Sequence, residues 1–198
     1  MTTVIVDLDG TLIRENSTLR FVQSLPLTSW RRLAAVLAIS RPATFVSHYF
    51  YGQFSRNLAI LSLKGLSRDY LCSQAAIYVS DCFERFANPE VVSVVKKARA
   101  ENSPIFLATA TLDCIAAAVV SKMRLTGGVS SQLSYNQGIC TGNLARDITG
   151  NKWSALIDAF GPLSKSDNIV LYTENREDVD VAANAQEVHW VEEHRGTV

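Results

Sequence analysis

The sequence lacks an excess of charge of either sign. In the 198-residue chain, 19 Lys and Arg residues balance 19 Asp and Glu residues, and the pI is near 6.8. Proteins that bind nucleic acid as a polyanion usually carry a basic excess or a basic stripe. The even balance therefore argues against a nucleic-acid partner.

Long apolar runs and a targeting pattern are also missing. The chain has no uninterrupted apolar run longer than the seven residues 33–39, whereas a membrane-spanning helix needs roughly 20. The first residues lack the basic region and the cleavage site of a signal peptide. We therefore expect a cytoplasmic protein with no transmembrane segment.

Cysteine is scarce and irregularly spaced. The chain has no C-x-x-C pair, and its three histidines add no metal-ligand spacing to the four cysteines. This spacing favours free thiols, buried or partly buried, in a reducing cytosol over a disulfide or a zinc site. The cysteines are Cys72, Cys82, Cys114 and Cys140.

The first part of the chain combines one strand pattern with a long helical stretch. Residues 3–7 are a short β-branched run, which is typical of a buried strand. Residues 14 to about 88 carry no strand pattern, and two prolines divide them into separate helices. Ser67 and Asn88 are predicted N-caps. The helices predicted in this stretch are 17–25, 29–40, 43–64 and 67–87.

From Pro89 onward, helices and strands alternate. The predicted helices are 89–101, 111–123, 152–160 and 178–185. The predicted strands are 104–109, 129–134, 168–173 and 187–191, with a short hairpin from the second of these to 139–141. Such alternation predicts a parallel sheet with helices on both faces, so the fold class is α/β. Residues 1–13 and 88–198 form the predicted core, and residues 14–87 form an all-helical insertion.

Two carboxylates follow the first strand, in the segment Asp7-Leu8-Asp9-Gly10-Thr11-Leu12. Because side chains alternate along a strand, Asp7 and Asp9 point to the same side. They stand at the carboxyl end of the strand, where open α/β sheets bind ligands, and Gly10 lets the backbone turn tightly. A capping Asp in an ordinary βα turn is the alternative, but the D-x-D-G-T string is more specific than that.

The segment VIVDLDGTL at residues 4–12 resembles motif I of the haloacid dehalogenase-like (HAD) superfamily. Its members are mostly magnesium-dependent phosphatases that use an aspartate nucleophile on a Rossmann-like core. Residues 105–111 resemble motif II, a hydrophobic strand ending in Thr or Ser, with Thr109 in the family position. A hydroxyl beside a helix N-terminus can donate to a phosphate oxygen, although Thr109 alone would be interpreted as an N-cap.

The third and fourth motifs follow in the same order. Residues 150–156 resemble motif III, with Lys152 at the start of a helix, although a single Lys is usually a solvated surface charge. Residues 169–178 resemble motif IV, with Glu174 where Asp is usual and Thr173 where Gly is common. Glu can ligate a hard cation, but Thr does not suit the positive φ of a Gly. A solvated helix start is the alternative interpretation of these acids.

The resemblance implies a role for each of these polar residues. Asp7 is implied as the nucleophile and Asp9 as the general acid and base. Thr109 and Lys152 are implied to bind the phosphoryl oxygens. A Mg²⁺ cofactor is implied to lie between nucleophile and phosphate, held by carboxylates and by the backbone carbonyl of Asp9. The residues implied at the metal are Asp7, Asp9, Glu174 and, through waters, Asp178.

The position of residues 14–87, between motifs I and II, resembles the branch of the superfamily with a helical C1 cap, which includes phosphoserine phosphatases. Those enzymes carry an acid after motif I that binds the substrate ammonium, but Asn16 stands there and offers no charge. A cap Arg binds the substrate carboxylate in them, and the loose alignment falls at Asn57, beside Arg56. A small phosphorylated substrate is therefore implied. Phosphoserine is not favoured, and a phospholipid head group stays open.

Several functions remain open from the sequence. A phosphatase of small phosphorylated metabolites is favoured, because the four motifs occur in order. The same intermediate on Asp7 would also serve phosphoryl transfer to another acceptor. A non-catalytic HAD-fold binding protein is supported only by the unusual Glu174. A dehalogenase is disfavoured, because that chemistry needs no metal and the chain retains Asp9 and an acidic pair. Nothing in the sequence indicates an oligomeric state.

Overall fold

Strand β1 (Thr2–Val6) lies inside a six-stranded sheet in the computed structural model, which describes residues 2–26, 48–163 and 168–192. The other strands are β2 (Ile105–Leu112), β3 (Gly127–Asn136), β4 (Ile139–Arg146), β5 (Asn168–Thr173) and β6 (Glu187–Trp190). Their order across the sheet is β4-β3-β2-β1-β5-β6. Five of these strands are parallel, and β4 pairs antiparallel with β3. The predicted α/β fold with a Rossmann-like sheet is confirmed.

Helices cover both faces of the sheet. Because side chains alternate along each strand, Val4 and Val6 share one buried cluster with residues of the first five helices, whereas Ile5 and Leu171 pack with residues of the last two. The helices are α1 (Ser17–Ser24), α2 (His48–Ser62), α3 (Arg68–Phe86), α4 (Pro89–Ala100), α5 (Asp113–Met123), α6 (Lys152–Phe160) and α7 (Val179–Ala182). Within the described ranges, none of them combines the length and apolar character of a membrane-spanning segment.

Local capping explains where several helices begin and end. The Ser67 hydroxyl accepts a hydrogen bond from the Tyr70 amide at 3.2 Å and caps α3. The Asn88 side chain caps α4 in the same way, and Pro89 occupies the first helical position. Helix α6 ends at Gly161, whose φ of +78° is accessible to glycine without a steric cost. The predicted N-caps at Ser67 and Asn88 are therefore confirmed.

Three predicted elements differ from the structure. Strand β2 continues to Leu112, so the next helix begins at Asp113 rather than at residue 111. The hairpin of β3 and β4 is longer than the predicted 129–134 and 139–141, because cross-strand pairing extends a sequence with weak strand propensity. The helix predicted at 178–185 is reduced to α7, since the chain turns to pair β6 with β5.

Two further predictions concern the helical stretch and the cysteines. The helix predicted at 29–40 lies outside the described residues, and the one predicted at 43–64 is described from residue 48, where α2 begins. All four cysteines are free thiols. Three of them are buried, whereas Cys72 is exposed, contrary to the expectation that all would be at least partly buried. Its position on the outer face of α3 explains this exposure.

The chain enters and leaves residues 14–87 at one place. Ile13 forms an antiparallel bridge with Ala87, and the Asn88 amide donates to the Leu12 carbonyl at 3.0 Å. This pairing supports the predicted boundary, and the division into core and cap stays a prediction. One buried cluster nevertheless contains residues of α2, α3 and the sheet. Among the described helices of the insertion, α1 contacts β2 and α2 contacts β4, whereas α3 packs mainly against α5.

Candidate active site

A buried ion triad lies at the carboxyl end of β1. The Lys152 Nζ atom is 2.9 Å from Asp7 Oδ1 and 2.7 Å from Asp178 Oδ1. The side chains of these three residues are at most 5% exposed. The Thr173 hydroxyl also donates to Asp178 Oδ2 at 2.7 Å. Residues separated by up to 171 positions therefore form one connected polar group.

The fold explains why these side chains meet. Parallel pairing of β1 with β5 places Val6 beside Tyr172, and the Asp7 amide donates to the Tyr172 carbonyl at 3.0 Å. The chain leaves both strands at the same edge of the sheet, and Lys152 begins α6 at that edge. Convergence of parallel strand ends explains why Asp7 lies near the chain that follows β5. Lys152 follows the antiparallel strand β4 and reaches Asp7 from the first position of α6.

Burial and charge shift the pKa values in the triad. Burial alone would lower the pKa of the Lys152 ammonium, but the charges of Asp7 and Asp178 outweigh it and raise that pKa. Burial, together with the charge of Asp7, raises the pKa of Asp178 to about 6. One ammonium thus lies between two carboxylates, and it offsets the repulsion between them.

Asp9 lies in a different environment from Asp7. Its Oδ1 accepts a hydrogen bond from the Ser17 amide at 3.0 Å, at the N-terminus of α1. Burial raises the pKa of Asp9 to about 7, although the hydrogen bonds from Ser17 oppose that shift. A carboxyl group with this pKa can both release and take up a proton near neutral pH. The Asn16 side chain caps the same helix by accepting from the Leu19 amide at 3.0 Å.

Thr109 lies inside β2, not beside a helix N-terminus as the sequence suggested. The following helix is preceded by Leu112, which makes no side-chain cap, and the buried Thr109 hydroxyl accepts from the Thr111 amide at 3.2 Å. The Thr111 Oγ1 atom is 2.8 Å from Ser17 Oγ and 2.9 Å from Thr18 Oγ1. Sequence reasoning missed this buried hydroxyl cluster. Alternation along β2, which places Thr109 and Thr111 on one face, is the signal that could have found Thr111.

The Glu174 carboxylate lies against Gly10. A Cβ atom at residue 10 would overlap the Glu174 carboxylate, and the φ of Gly10 is +75°. The Glu174 amide donates to Thr11 Oγ1 at 2.8 Å, which ties the end of β5 to the turn after β1. Thr173 adopts extended backbone as the last residue of β5, so no positive φ is needed there.

The donor set suits a hard cation held by few protein ligands. Across residues 2–26, 48–163 and 168–192, no three His, Cys, Asp or Glu side chains converge on one point, and the Lys152 ammonium lies between Asp7 and Asp178. The available donors are carboxylate and carbonyl oxygens, and Gly10 leaves space for a carboxylate beside the turn after β1. Mg²⁺ is usually bound by one or two carboxylates plus waters, not by an all-protein cage. The residues present therefore fit this ion.

Solved structures share the fold at low sequence identity. The HAD family hydrolase t0658 from Salmonella enterica subsp. enterica serovar Typhi is 15% identical, with a TM-score of 0.59 over 93% of this chain and 60% of that one. A protein with unknown function from Bordetella pertussis Tohama I is 14% identical, with a TM-score of 0.71 over 96% of this chain and 99% of that one. A substrate-bound phosphoserine phosphatase is 12% identical, with a TM-score of 0.57 over 95% of this chain and 85% of that one.

The chain thus spans less than two thirds of the Salmonella hydrolase, but nearly all of the Bordetella protein. No curated protein matches the chain significantly. The model of one family, described as HAD, haloacid dehalogenase-like hydrolase, matches residues 4–183. This range contains all four motifs and the triad. The chain therefore belongs to the haloacid dehalogenase-like hydrolase family.

Proposed function

We propose that the protein is a phosphatase that hydrolyses a small phosphate monoester through an aspartyl-phosphate on Asp7. The observation that carries the proposal is the buried contact of 2.9 Å between Asp7 and Lys152 at the carboxyl end of β1. A carboxylate nucleophile and a cation for the phosphoryl oxygens are thereby adjacent. Membership of a hydrolase family supports the same reaction class.

The reaction would proceed in two balanced steps. An Asp7 oxygen attacks phosphorus while the bond to the leaving oxygen breaks, and Asp9 gives its proton to that oxygen. Asp9 then takes a proton from water, whose oxygen attacks phosphorus and releases inorganic phosphate from Asp7. Lys152 and Thr109 would bind the phosphoryl oxygens in both steps. The pKa of Asp9, about 7, suits both proton transfers.

Asp7, the Asp9 backbone carbonyl and Glu174 would hold Mg²⁺, and Asp178 would order its waters. When bound, the ion offsets the repulsion between a carboxylate and a phosphate dianion. The chain's own contribution is to keep the carboxylates close. Lys152 does this for Asp7 and Asp178, and the Gly10 backbone leaves space for Glu174.

A panel of phosphate monoesters, assayed with and without Mg²⁺, tests the proposal through release of inorganic phosphate. We expect turnover of at least one small monoester that requires Mg²⁺ and stops in excess chelator. We expect phosphoserine to be a poor substrate, because the uncharged Asn16 side chain caps α1 and Arg56 is bound to Asp147. Absence of phosphate release from every monoester, with Mg²⁺ present and the protein folded, would contradict the proposal.

Asp9→Asn should slow turnover by roughly a hundredfold or more, because the amide cannot give or take the proton. The loss should be smaller for nitrophenyl phosphate, whose leaving group departs without protonation, than for an alkyl phosphate. Steady-state rates on both substrates check this, with Asp69→Asn, an exposed acid in the first turn of α3, as control. An equal loss on both substrates would count against a general-acid role for Asp9.

Glu174→Ala should raise the Mg²⁺ concentration needed for half-maximal activity, because one anionic oxygen is lost from a site with few protein ligands. Titration of activity against Mg²⁺ measures this, and Glu177→Ala, three residues further along the chain and exposed, is the matched control. Glu174→Asp should retain Mg²⁺ dependence, since Asp is usual in motif IV. Unchanged Mg²⁺ dependence and turnover in Glu174→Ala would remove Glu174 from the metal site.

A further inference from the structure

We propose that Arg56 is a positioning residue, which holds helix α2 against the loop that leads into Lys152 by pairing with Asp147. The proposal rests on the proposed function, because it assigns Arg56 to the ordering of that site. The loop, residues 147–151, connects β4 to α6 and is called the β4–α6 loop below. Arg56 stands in the second half of α2, far from this loop in sequence.

The pair with Asp147 is bidentate. The Arg56 Nη1 atom donates to Asp147 Oδ2 at 2.7 Å, and Nη2 donates to Asp147 Oδ1 at 3.2 Å. The Arg56 side chain is only 17% exposed, whereas Asp147 is 41% exposed. Two parallel hydrogen bonds of this kind fix both distance and orientation, unlike a single surface ion pair.

The same guanidinium contacts two neighbouring strands. Its Nη2 atom donates to the Ala110 carbonyl at 2.8 Å and to the Ser131 hydroxyl at 3.0 Å. Ala110 lies between Thr109 and Thr111 in β2, next to the candidate phosphate-binding hydroxyl. Arg56 therefore joins α2, β2, β3 and the β4–α6 loop at one point. Loss of Arg56 would leave the Ala110 carbonyl and the Asp147 carboxylate without this donor.

Asp147 in turn organises the β4–α6 loop. Its Oδ1 accepts from the Thr149 amide at 3.0 Å and from the Thr149 hydroxyl at 2.8 Å, and the Ser131 hydroxyl donates to it at 3.1 Å. Burial opposes its charge, but the hydrogen bonds from Arg56 and Thr149 lower the pKa of Asp147 to about 2. The carboxylate is thus charged at neutral pH, and the loop that it orders leads directly into Lys152.

These contacts indicate how Arg56 acts. In phosphoserine phosphatases a cap Arg binds the substrate carboxylate, and the loose alignment of that residue falls at Asn57, beside Arg56. Both terminal nitrogens of Arg56 donate to acceptors of the protein itself. The contacts reach the chain next to both implied phosphate-binding residues, because Ala110 follows Thr109 in β2 and the β4–α6 loop precedes Lys152. The role that follows is to hold these two groups at a fixed separation, which phosphate binding needs.

Arg56→Ala and Arg146→Ala form a matched pair of variants. Arg146 also makes an Arg–Asp pair, with Asp158 at 2.8 Å, but on the exposed surface. In Arg56→Ala we expect amide hydrogen exchange in residues 148–151 to accelerate by about tenfold or more, because the loop loses its anchor. We also expect KM for the best phosphate monoester to rise by about tenfold, with a smaller change in kcat. Arg146→Ala should change neither quantity.

Two further variants keep the test decisive. Arg56→Lys retains the charge but cannot make the bidentate pair and reach Ala110 together. It should fold, and its KM should lie between the KM of the wild type and that of Arg56→Ala. Asp147→Asn should reproduce the faster exchange of the loop. If no monoester is hydrolysed by the wild type, the proposed function fails, while the exchange comparison still decides whether Arg56 orders the loop. Equal exchange in residues 148–151 and equal KM for Arg56→Ala and Arg146→Ala would overturn the proposal.

Discussion

Asp7→Asn is expected to abolish phosphate release while leaving the protein folded. An amide is too weak a nucleophile to form the aspartyl-phosphate, so turnover should fall by about 10⁴-fold or more. The fold should persist, because Asn has the same shape and its oxygen can still accept from Lys152 Nζ, 2.9 Å away. Lys152 also keeps its pair with Asp178. Inorganic phosphate release and the thermal unfolding midpoint measure the two halves of this expectation.

The control is Asp158→Asn, in which an exposed acid that pairs with Arg146 loses its charge. It should release phosphate at the wild-type rate, which shows that removal of an acid does not in itself inactivate the protein. Turnover above a trace in Asp7→Asn, with the variant free of wild-type contamination, would rule out Asp7 as the nucleophile. Loss of activity in Asp158→Asn as well would indicate a general effect on folding.

The order of the motifs was sufficient to predict the fold and the family. Three of the predicted strands, 3–7, 104–109 and 168–173, end at or next to an implied site residue, and parallel strands of an open sheet end at one edge. This rule brings Asp7 near Asp178, although they are 171 positions apart. The rule does not predict the contacts of Lys152 with Asp7 and Asp178, because nothing in the sequence indicates that Lys152 is buried between the two carboxylates. The roles of these residues stay predictions.

Other parts of the site depend on long-range packing that carries no local sequence signal. Arg56 and Asp147 are 91 positions apart, and each alone resembles an ordinary surface charge. The hydroxyls of Thr111 and Ser17 are hydrogen-bonded although the two residues are 94 positions apart. The resemblance to the family implies no role for either residue. Hydroxyls of this kind can bond to many neighbours, so only the folded chain determines which partner each one takes.

The division into a core and a cap could not be decided from helical patterns. An amphipathic helix shows which face is buried, but not whether that face meets another helix or a sheet. In the structure, Ala59 of α2 and Leu71 of α3 lie in one buried cluster with Val6 of β1. Helix α2 contacts β4 of the sheet, whereas α3 packs mainly against helix α5, so the apolar faces of these two insertion helices meet different kinds of neighbour.

Lys152→Met should remove most activity and also destabilise the protein. The variant loses the cation that would bind phosphoryl oxygens, so kcat/KM should fall by about 10²–10³-fold. It also leaves Asp7 and Asp178 facing each other, both at most 4% exposed, without a positive charge between them. Breaking a buried ion pair from one side costs about 3–5 kcal/mol of unfolding free energy. Burial and the charge of Asp7 raise the pKa of Asp178 to about 6 while Lys152 is present, and loss of the ammonium should raise it further, so the cost should grow with pH and is best measured at pH 8.

Denaturant unfolding at pH 8 in metal-free buffer with chelator measures this cost. Lys122→Met is the control, because Lys122 is exposed, donates to Ser80 at 3.3 Å and lies 6.0 Å from the centre of the Phe83 ring, with no carboxylate in these contacts. The double variant Asp7→Asn/Lys152→Met should recover part of the lost stability, since one of the two facing charges is removed. It should remain inactive, because the nucleophile is absent. If Lys152→Met is as stable as Lys122→Met, the ammonium does not hold the two carboxylates together. If the double variant is no more stable than Lys152→Met, repulsion between Asp7 and Asp178 is not the source of the loss.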